Sequence, residues 1–171
     1  MAGVNLSLTP FATWAGDVSV AVGGEYRRES VSGSVPTQFQ TGWSVGNFLP
    51  TFGSYNVKEA YLETVVPLGL GLEFNGAVRV SDYSTTGSIW SWKLGITNEF
   101  FPGFRGRATR SRDIRSANLS ELYTQTTTGY NTIYDPVTKQ NVYVLSNGGG
   151  NPSLEPEKAD TWTFGFTYSP P

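Results

Sequence analysis

The chain has 171 residues, with 12 Lys+Arg against 14 Asp+Glu, and neither Cys nor His. Without thiols or imidazoles it holds no disulfide framework, zinc finger, cysteine nucleophile or Ser-His-Asp triad, and a formal charge of −2 argues against the clustered cations that displace counterions from nucleic acid. Charged residues make up 15% and aromatics 14%, with 20 Gly. A soluble domain carries about 25% charged residues, so the composition points to a sheet-rich protein in an unusual solvent.

No basic segment followed by an apolar run opens the chain, so no secretory signal is read there. No window approaches the roughly 18 apolar residues of a membrane-spanning helix. Neither absence bears on barrel strands, which cross a membrane by alternation.

Period-two alternation predicts seven strands. In the first, Val4, Leu6 and Leu8 alternate with Asn5, Ser7 and Thr9; in the second, Val18, Val20, Val22 and Tyr26 alternate with Ser19, Ala21, Glu25 and Arg27. A third, less regular, covers about 55–66. In the fourth, Leu72, Phe74, Val78 and Val80 oppose Glu73, Asn75, Ala77 and Arg79, and in the fifth Trp90, Trp92, Leu94 and Ile96 oppose Ser91, Lys93, Gly95 and Thr97. The sixth covers about 104–111, and the last sets Trp162, Phe164, Phe166 and Tyr168 against Thr161, Thr163, Gly165 and Thr167. Asp82 and Asn98 fall on the apolar parity; a headgroup-level position accounts for the first, and only a bulge that shifts register accounts for the second.

Tight Gly- or Pro-bearing turns are read at 14–17, 67–69, 101–103 and 169–171. The other connectors are a short one at 84–88 and two long loops, about 31–54 and 112–154. Within the second loop, Asn118 followed by Glu121 forms a capping-box pattern for a helical turn over 118–123, and 132–134 with 142–145 predicts a small hairpin around Asp135-Pro136. Short connectors on one side and long ones on the other are the asymmetry of an outer-membrane barrel.

Several strands run about 10–13 residues, right for a tilted membrane crossing and longer than usual in globular sheets. Tyr26, Tyr83, Trp90, Trp92, Phe100, Phe101, Phe104, Trp162 and Tyr168 sit toward strand ends, where an interfacial girdle belongs. The opposite parity carries Glu59, Glu63, Glu73, Arg79, Lys93, Glu99, Arg105 and Arg107, a charge-lined face suited to the interior of a large barrel. Folding at 67–71 is expected to bring Glu59 and Glu63 near Arg79 and Asn75. The competing reading is a soluble sugar-binding β-sandwich, in which the same charges form a solvated outer face.

GSYNVKEAYLE at 53–63 looks like a mid-barrel strand, RVSDYSTTG at 79–87 followed by Trp92-Lys93 like the next hairpin, and RATRS at 107–111 with RSANLSELY at 115–123 like a strand end leading into a loop. GNPSLEPEKADTW at 150–162, then Gly165, is the most specific, and Ala15-Gly16-Asp17 with GEYR at 24–27 resembles an earlier hairpin. Together these strings resemble one family, the TonB-dependent outer-membrane receptors. The resemblance implies a plugged barrel of about 22 strands, which captures ligand at its extracellular mouth and is driven by an inner-membrane energy complex. This chain departs from the pattern: it shows no plug, no energy-coupling box, no closing aromatic-ended strand and no cysteine pair within 135–147. Its seven strands are an odd number, whereas single-chain bacterial barrels use even numbers.

The expectation is therefore an all-β, antiparallel transmembrane segment of about seven strands over 1–171, an internal part of a Gram-negative outer-membrane receptor for a ferric siderophore or similar scarce nutrient. Unaided, it is expected not to transport, since its edge strands would be left unpaired in hydrocarbon. Implied partners are outer-membrane lipid, the plug and remaining strands of the parent barrel, the TonB energy complex and the ligand. A small porin-like or adhesive barrel, with the loop hairpin supplying an eighth strand, is the other membrane alternative. Trp43, Phe48, Phe52, Tyr123, Tyr130, Tyr134 and Tyr143 are the candidate ligand-stacking loop aromatics, and Arg115 the candidate anion contact, though it has a possible partner in Glu121. Glu59, Glu63, Glu73, Arg79, Lys93, Arg105 and Arg107 are the expected lumen- or plug-facing set. Gly69-Leu70-Gly71 and Gly148-Gly149-Gly150 lack the residues of nucleotide loops, and no catalytic, metal or cofactor set is read.

Overall fold

The computed structural model describes residues 1–42 and 46–170. Its strands are β1 (Ala2–Thr13), β2 (Gly16–Ser32), β3 (Phe52–Gly69), β4 (Leu72–Tyr83), β5 (Gly87–Phe101), β6 (Phe104–Arg115), β7 (Thr127–Asp135), β8 (Gln140–Gly148) and β9 (Glu157–Tyr168), with one short helix, α1 (Leu119–Tyr123). Seven of them form one antiparallel sheet in the order β1-β2-β3-β4-β5-β6-β9, and β7 and β8 form a separate hairpin. The chain divides into two compact units: the sheet (1–28, 56–116, 155–171) and a loop unit (29–55, 117–154).

In the sheet unit the register turns sequence parity into two faces. Phe74 stands opposite Ile96, Val78 opposite Trp92 and Val80 opposite Trp90; Ile96 in turn meets Ala108, and Ala108 meets Phe164. The alternate positions form charged or small rows, such as Glu73–Thr97–Arg107–Gly165 and Glu63–Ala77–Lys93–Ser111. The apolar row is open to the surroundings, with Leu94 and Ile96 48%, Trp162 60% and Phe166 70% exposed. An apolar face left uncovered across a whole sheet is not a globular core.

The turns correct one expectation. Residues 67–69 remain in β3, with an irregularity between Pro67 and Gly69, and the reversal is made by Leu70 and Gly71 alone. Both have positive φ, 53° and 77°, as a two-residue turn of the mirror-image type requires, because its twist matches that of the flanking strands. The Thr13–Gly16 and Phe101–Phe104 reversals fall where expected. On β1 the pairing shifts between Leu8 and Phe11, around Pro10, a residue that an edge strand tolerates because it owes the ladder no donor.

Two further expectations change. The irregularity in β5 lies between Glu99 and Phe101, beyond Asn98, so Asn98 stays on the apolar face opposite Leu72 and Gly106. Tyr83, expected in the girdle, belongs to the charged parity, opposite Val57 and Gly87. Asp82 stands opposite Lys58 and accepts a hydrogen bond from Ser88 Oγ at 2.7 Å. At the short-turn end the girdle is realised by rings in contact: Phe101 and Phe104 stack at 4.9 Å, and Phe104 and Phe166 at 5.9 Å.

In the loop unit, α1 is capped as its sequence predicts: Asn118 Oδ1 accepts from Glu121 N at 2.9 Å and Glu121 Oε2 accepts from Asn118 N at 2.9 Å. Its far end is held by the chain at 150–151, where Gly150 N donates to Thr124 O at 2.7 Å and Asn151 N to Glu121 O at 2.8 Å. Leu122 is fully buried. The predicted hairpin is present and longer than its sequence signal, with Ile133 opposite Val142.

Candidate functional site

Two surfaces carry the residues singled out by sequence. The first is the charged face of the sheet. Glu59 is its most enclosed carboxylate, 9% exposed, accepting from Arg27 Nη1 at 2.8 Å and Ser81 Oγ at 2.5 Å. Arg27 also meets Glu25 at 3.3 Å. Glu59 lies near Arg79 as expected, the two lining one cavity, but register sets Glu59 opposite Ser81 and Tyr61 opposite Arg79, and Arg79 lies over the Tyr61 ring, 5.3 Å from its centroid.

That ring reaches across a whole strand. Tyr61 Oη donates to Asn5 Oδ1 on β1 at 2.7 Å, passing over Gly23 of β2, where a Cβ would stand 2.5 Å from both the ring and the Asn5 oxygen. Only a glycine leaves this passage open. The row Asn5–Gly23–Tyr61–Arg79 therefore ties four strands together on the charged face.

Of the other predicted residues on this face, Glu73 accepts from Asn75 Nδ2 at 3.4 Å and Arg105 pairs with Glu99 at 3.3 Å. Glu63 stands opposite Ala77, Lys93 between Ala77 and Ser111, and Arg107 between Thr97 and Gly165. Arg27, Glu59, Arg79, Ser81, Ser91 and Asp113 line a polar cavity of about 390 Å³. Sequence reasoning did not single out Tyr61 or Gly23, although a glycine on the charged parity, one strand from a tyrosine, was their signal.

The second surface is the hairpin of the loop unit. Tyr130, Thr132 and Tyr134 share one face with Asn141, Tyr143 and Leu145, because Tyr130 pairs with Leu145, Thr132 with Tyr143 and Tyr134 with Asn141. Tyr130 and Tyr143 stack at 5.2 Å with planes 6° apart. Tyr134 and Leu145 are exposed beside them. Three predicted aromatics thus converge on one open face, joined by Leu145 and Asn141, which the alternation of 141–145 could have disclosed.

Two of the other candidates, Tyr123 and Arg115, are held by side-chain hydrogen bonds. Tyr123 covers Gly53 and donates to Ser54 O at 3.2 Å. Phe48 and Phe52 are exposed; the segment before Phe48 is tied to β7 by Asn47 N to Thr128 O at 3.2 Å, and Phe48 N donates to Phe39 O at 3.1 Å. Arg115 belongs to the sheet unit, where Glu157 binds it through two contacts of 3.1 and 2.7 Å. Trp43 lies outside the described residues. Among the described residues no group of His, Cys, Asp or Glu is arranged to hold a metal ion.

The hairpin turn is built around one carboxylate. Asp135 carboxylate oxygens accept from Thr138 Oγ1 and Val137 N, each at 2.8 Å. The Thr138 hydroxyl first, then the Val137 amide, hold the carboxyl below its ordinary value. A depressed folded pKa contributes order that is complete above the unfolded value and is lost as pH falls through the folded one. Amide exchange at 137–139 is therefore expected to stay slow at neutral pH and to accelerate on acidification through the carboxylate range, whereas Asp135→Asn flattens that profile.

A long-stranded antiparallel sheet with one charged face, one exposed apolar face and stacked aromatics at its short-turn end is the wall of a membrane β-barrel. The family model described as TonB dependent receptor-like, beta-barrel, matches residues 2–171, and the chain belongs to that family. Receptors of this family are outer-membrane proteins of Gram-negative bacteria and are not an enzyme class. The fold is similar to that of the siderophore receptor PirA from Acinetobacter baumannii, with TM-score 0.70, 16% identity, 98% of this chain and 24% of that chain covered. It is likewise similar to the ferric enterobactin receptor PfeA from Pseudomonas aeruginosa in complex with BCV-L6, with TM-score 0.70, 18% identity, 99% of this chain and 24% of that chain covered. A PfeA mutant in complex with enterobactin gives TM-score 0.68 at 18% identity, with 98% and 24% covered. The chain thus spans about a quarter of the length of these receptors. A search of curated proteins finds no match.

Proposed function

We propose that this chain is part of the wall and outer loops of a TonB-dependent receptor for a ferric siderophore or a similarly large, scarce nutrient, with the hairpin tyrosines among its ligand contacts. The observation that carries the reading is the open face where Tyr130 and Tyr143 stack beside Tyr134. The aromatic rings of a catecholate chelator stack on such side chains at about 0.5–1.5 kcal/mol per well-placed pair. The charged face is assigned to the lumen, where Arg79, Lys93 and Arg107 meet the plug of the parent receptor, and the apolar face to lipid. The long loops, about 31–54 and 112–154, are assigned to the extracellular side. Without the parent's plug and remaining strands the segment transports nothing, because β1 and β9 would present unpaired backbone groups to hydrocarbon.

The test is binding of a ferric catecholate to the receptor that carries this segment, in outer-membrane vesicles. Tyr130→Ala combined with Tyr143→Ala is expected to weaken binding about tenfold, the loss of two ring contacts, while leaving the heat-modifiable barrel intact. Equal affinity in the double variant and the parent would overturn the assignment of the hairpin.

A further inference from the structure

The two long edges of the β7–β8 hairpin are not alike. On β7 one outward backbone group is already used: Thr128 O accepts from Asn47 N at 3.2 Å, and Asn47 Nδ2 donates to Thr128 Oγ1 at 3.1 Å. On β8 the outer edge pairs with no other strand among the described residues. Natural sheets blunt a free edge with charge, proline or a bulge, because a row of unpaired N–H and C=O groups captures another chain. β8 has none of these guards. Gln140–Gly148 contains no charged residue and no proline, and its pairing with β7 runs without a register shift.

The bond at Thr128 also shows which groups point outward. In an antiparallel ladder, facing pairs alternate between those that bond each other and those whose backbone groups turn away. Thr128 reaches out to Asn47, so the Thr128–Asn147 pair is of the second kind. So, at every second step, are Tyr130–Leu145, Thr132–Tyr143 and Tyr134–Asn141. On β8 the outward N–H and C=O groups therefore belong to Asn141, Tyr143 and Leu145. Their side chains are the ones that share the open face with the stacked Tyr130. From Asn141 to Leu145 the edge runs about 14 Å, the length of about four or five residues of extended chain.

We propose that this edge is a backbone-recognition site for a peptide, an extended stretch of about four or five residues that adds as a third strand beside β8 and is carried as the scaffold of the ligand. Resting on the receptor reading above, the site narrows the substrate class to chelates built on a peptide. Main-chain hydrogen bonds hold an added strand, and the side chains beside it give specificity. β8 has no charged side chain to meet an ionic strand, so the fitting occupant is uncharged. Cross-strand neighbours stand about 5 Å apart. Alternate side chains of the added strand thus fall in line with Tyr143 and Leu145, where a chelating ring meets the tyrosines.

The test uses the receptor carrying this segment, in detergent micelles, with ferric probes of three kinds. One is a catecholate chelate on a linear, uncharged pentapeptide; the next is that chelate N-methylated at one or the other set of alternate amides; the last is a catecholate chelate on a non-peptide scaffold. An added strand turns alternate amides toward the edge. Methylating one set is therefore expected to weaken binding about tenfold, as loss of two hydrogen bonds implies, and methylating the other to leave it unchanged. Amide exchange at Asn141, Tyr143 and Leu145 is expected to be fast without ligand and to slow about tenfold or more with the pentapeptide chelate bound. Equal affinity for the two methylated forms would overturn the edge site. So would slow exchange at those three amides without ligand, which would mean that a loop of the parent receptor already fills the edge. The non-peptide chelate separates this site from the receptor reading. Its binding, alongside equal affinities for the methylated pair, overturns the edge site alone, and failure of every ferric probe to bind overturns both.

Discussion

Gly150→Val is expected to release α1 from the segment that closes over it and to speed amide exchange through the loop unit about a hundredfold, equivalent to roughly 3 kcal/mol. A Cβ at Gly150 would stand 2.7 Å from the carbonyl carbon and oxygen of Leu122 and from Tyr123 N, all of them backbone atoms that cannot rotate aside. The displacement breaks Gly150 N to Thr124 O and Asn151 N to Glu121 O, the bonds that hold the helix's last carbonyls. A five-residue helix has almost no stability of its own, so its capping box alone does not keep Leu122 buried. Tyr123, which covers Gly53 and reaches Ser54, is lost with it. Gly148→Val is the control, since a Cβ there meets nothing within 4 Å, and its effect is expected within about 0.5 kcal/mol. Equal responses would show that α1 is not held by this contact.

The second large effect is expected at Glu59. Glu59→Ala removes the acceptor of both Arg27 and Ser81 at a position 9% exposed, and the barrel's unfolding free energy is expected to fall by about 2 kcal/mol. The figure stays below the roughly 3–5 kcal/mol of a fully buried pair, because Arg27 is 28% exposed and retains Glu25. A double-mutant cycle with Arg27→Ala, read by urea unfolding in micelles, is expected to return a coupling above about 1 kcal/mol. The Arg105–Glu99 pair, with side chains 61% and 42% exposed, is expected to return close to zero. Similar coupling in the two cycles would mean that enclosure does not set the strength of these pairs.

Alternation made the strands, their faces and the identity of the charged set legible without coordinates, because parity is a local property: Trp90 and Trp92 must share a face whatever lies beside them. Partners are not local. The sequence reading folded β3 onto the strand that follows it across a tight turn, which placed Glu59 near Arg79 and said nothing of β2. The actual partner, Arg27, comes from β2, on the far side of a long loop, where nothing in the intervening residues specifies a register. The β3–β4 reversal was misplaced for a different reason: Pro67 and Gly69 have the composition of a turn, but Leu70 carries the positive φ that composition does not advertise. The capping box of α1 was fully legible because every atom in it lies within four residues. For the tyrosine face the aromatics were visible individually; their convergence required the register of β7 against β8.

The order of the seven strands has a consequence for how the sheet can be completed. Neighbours alternate in direction, so β1 and β9, the first and last in the order, point the same way. Brought together they would meet head to head as a parallel pair, breaking the antiparallel pattern at a single seam. A second copy inserted with the same polarity offers the same mismatch, since its β1 would run alongside β9 in a common direction. A fully antiparallel cylinder therefore needs an odd number of further strands between these two edges, entering with the opposite sense at each. The direction of the two edges thus acts as a polarity lock: it rejects self-closure and same-sense self-assembly, and admits only a complement that reverses the chain an odd number of times.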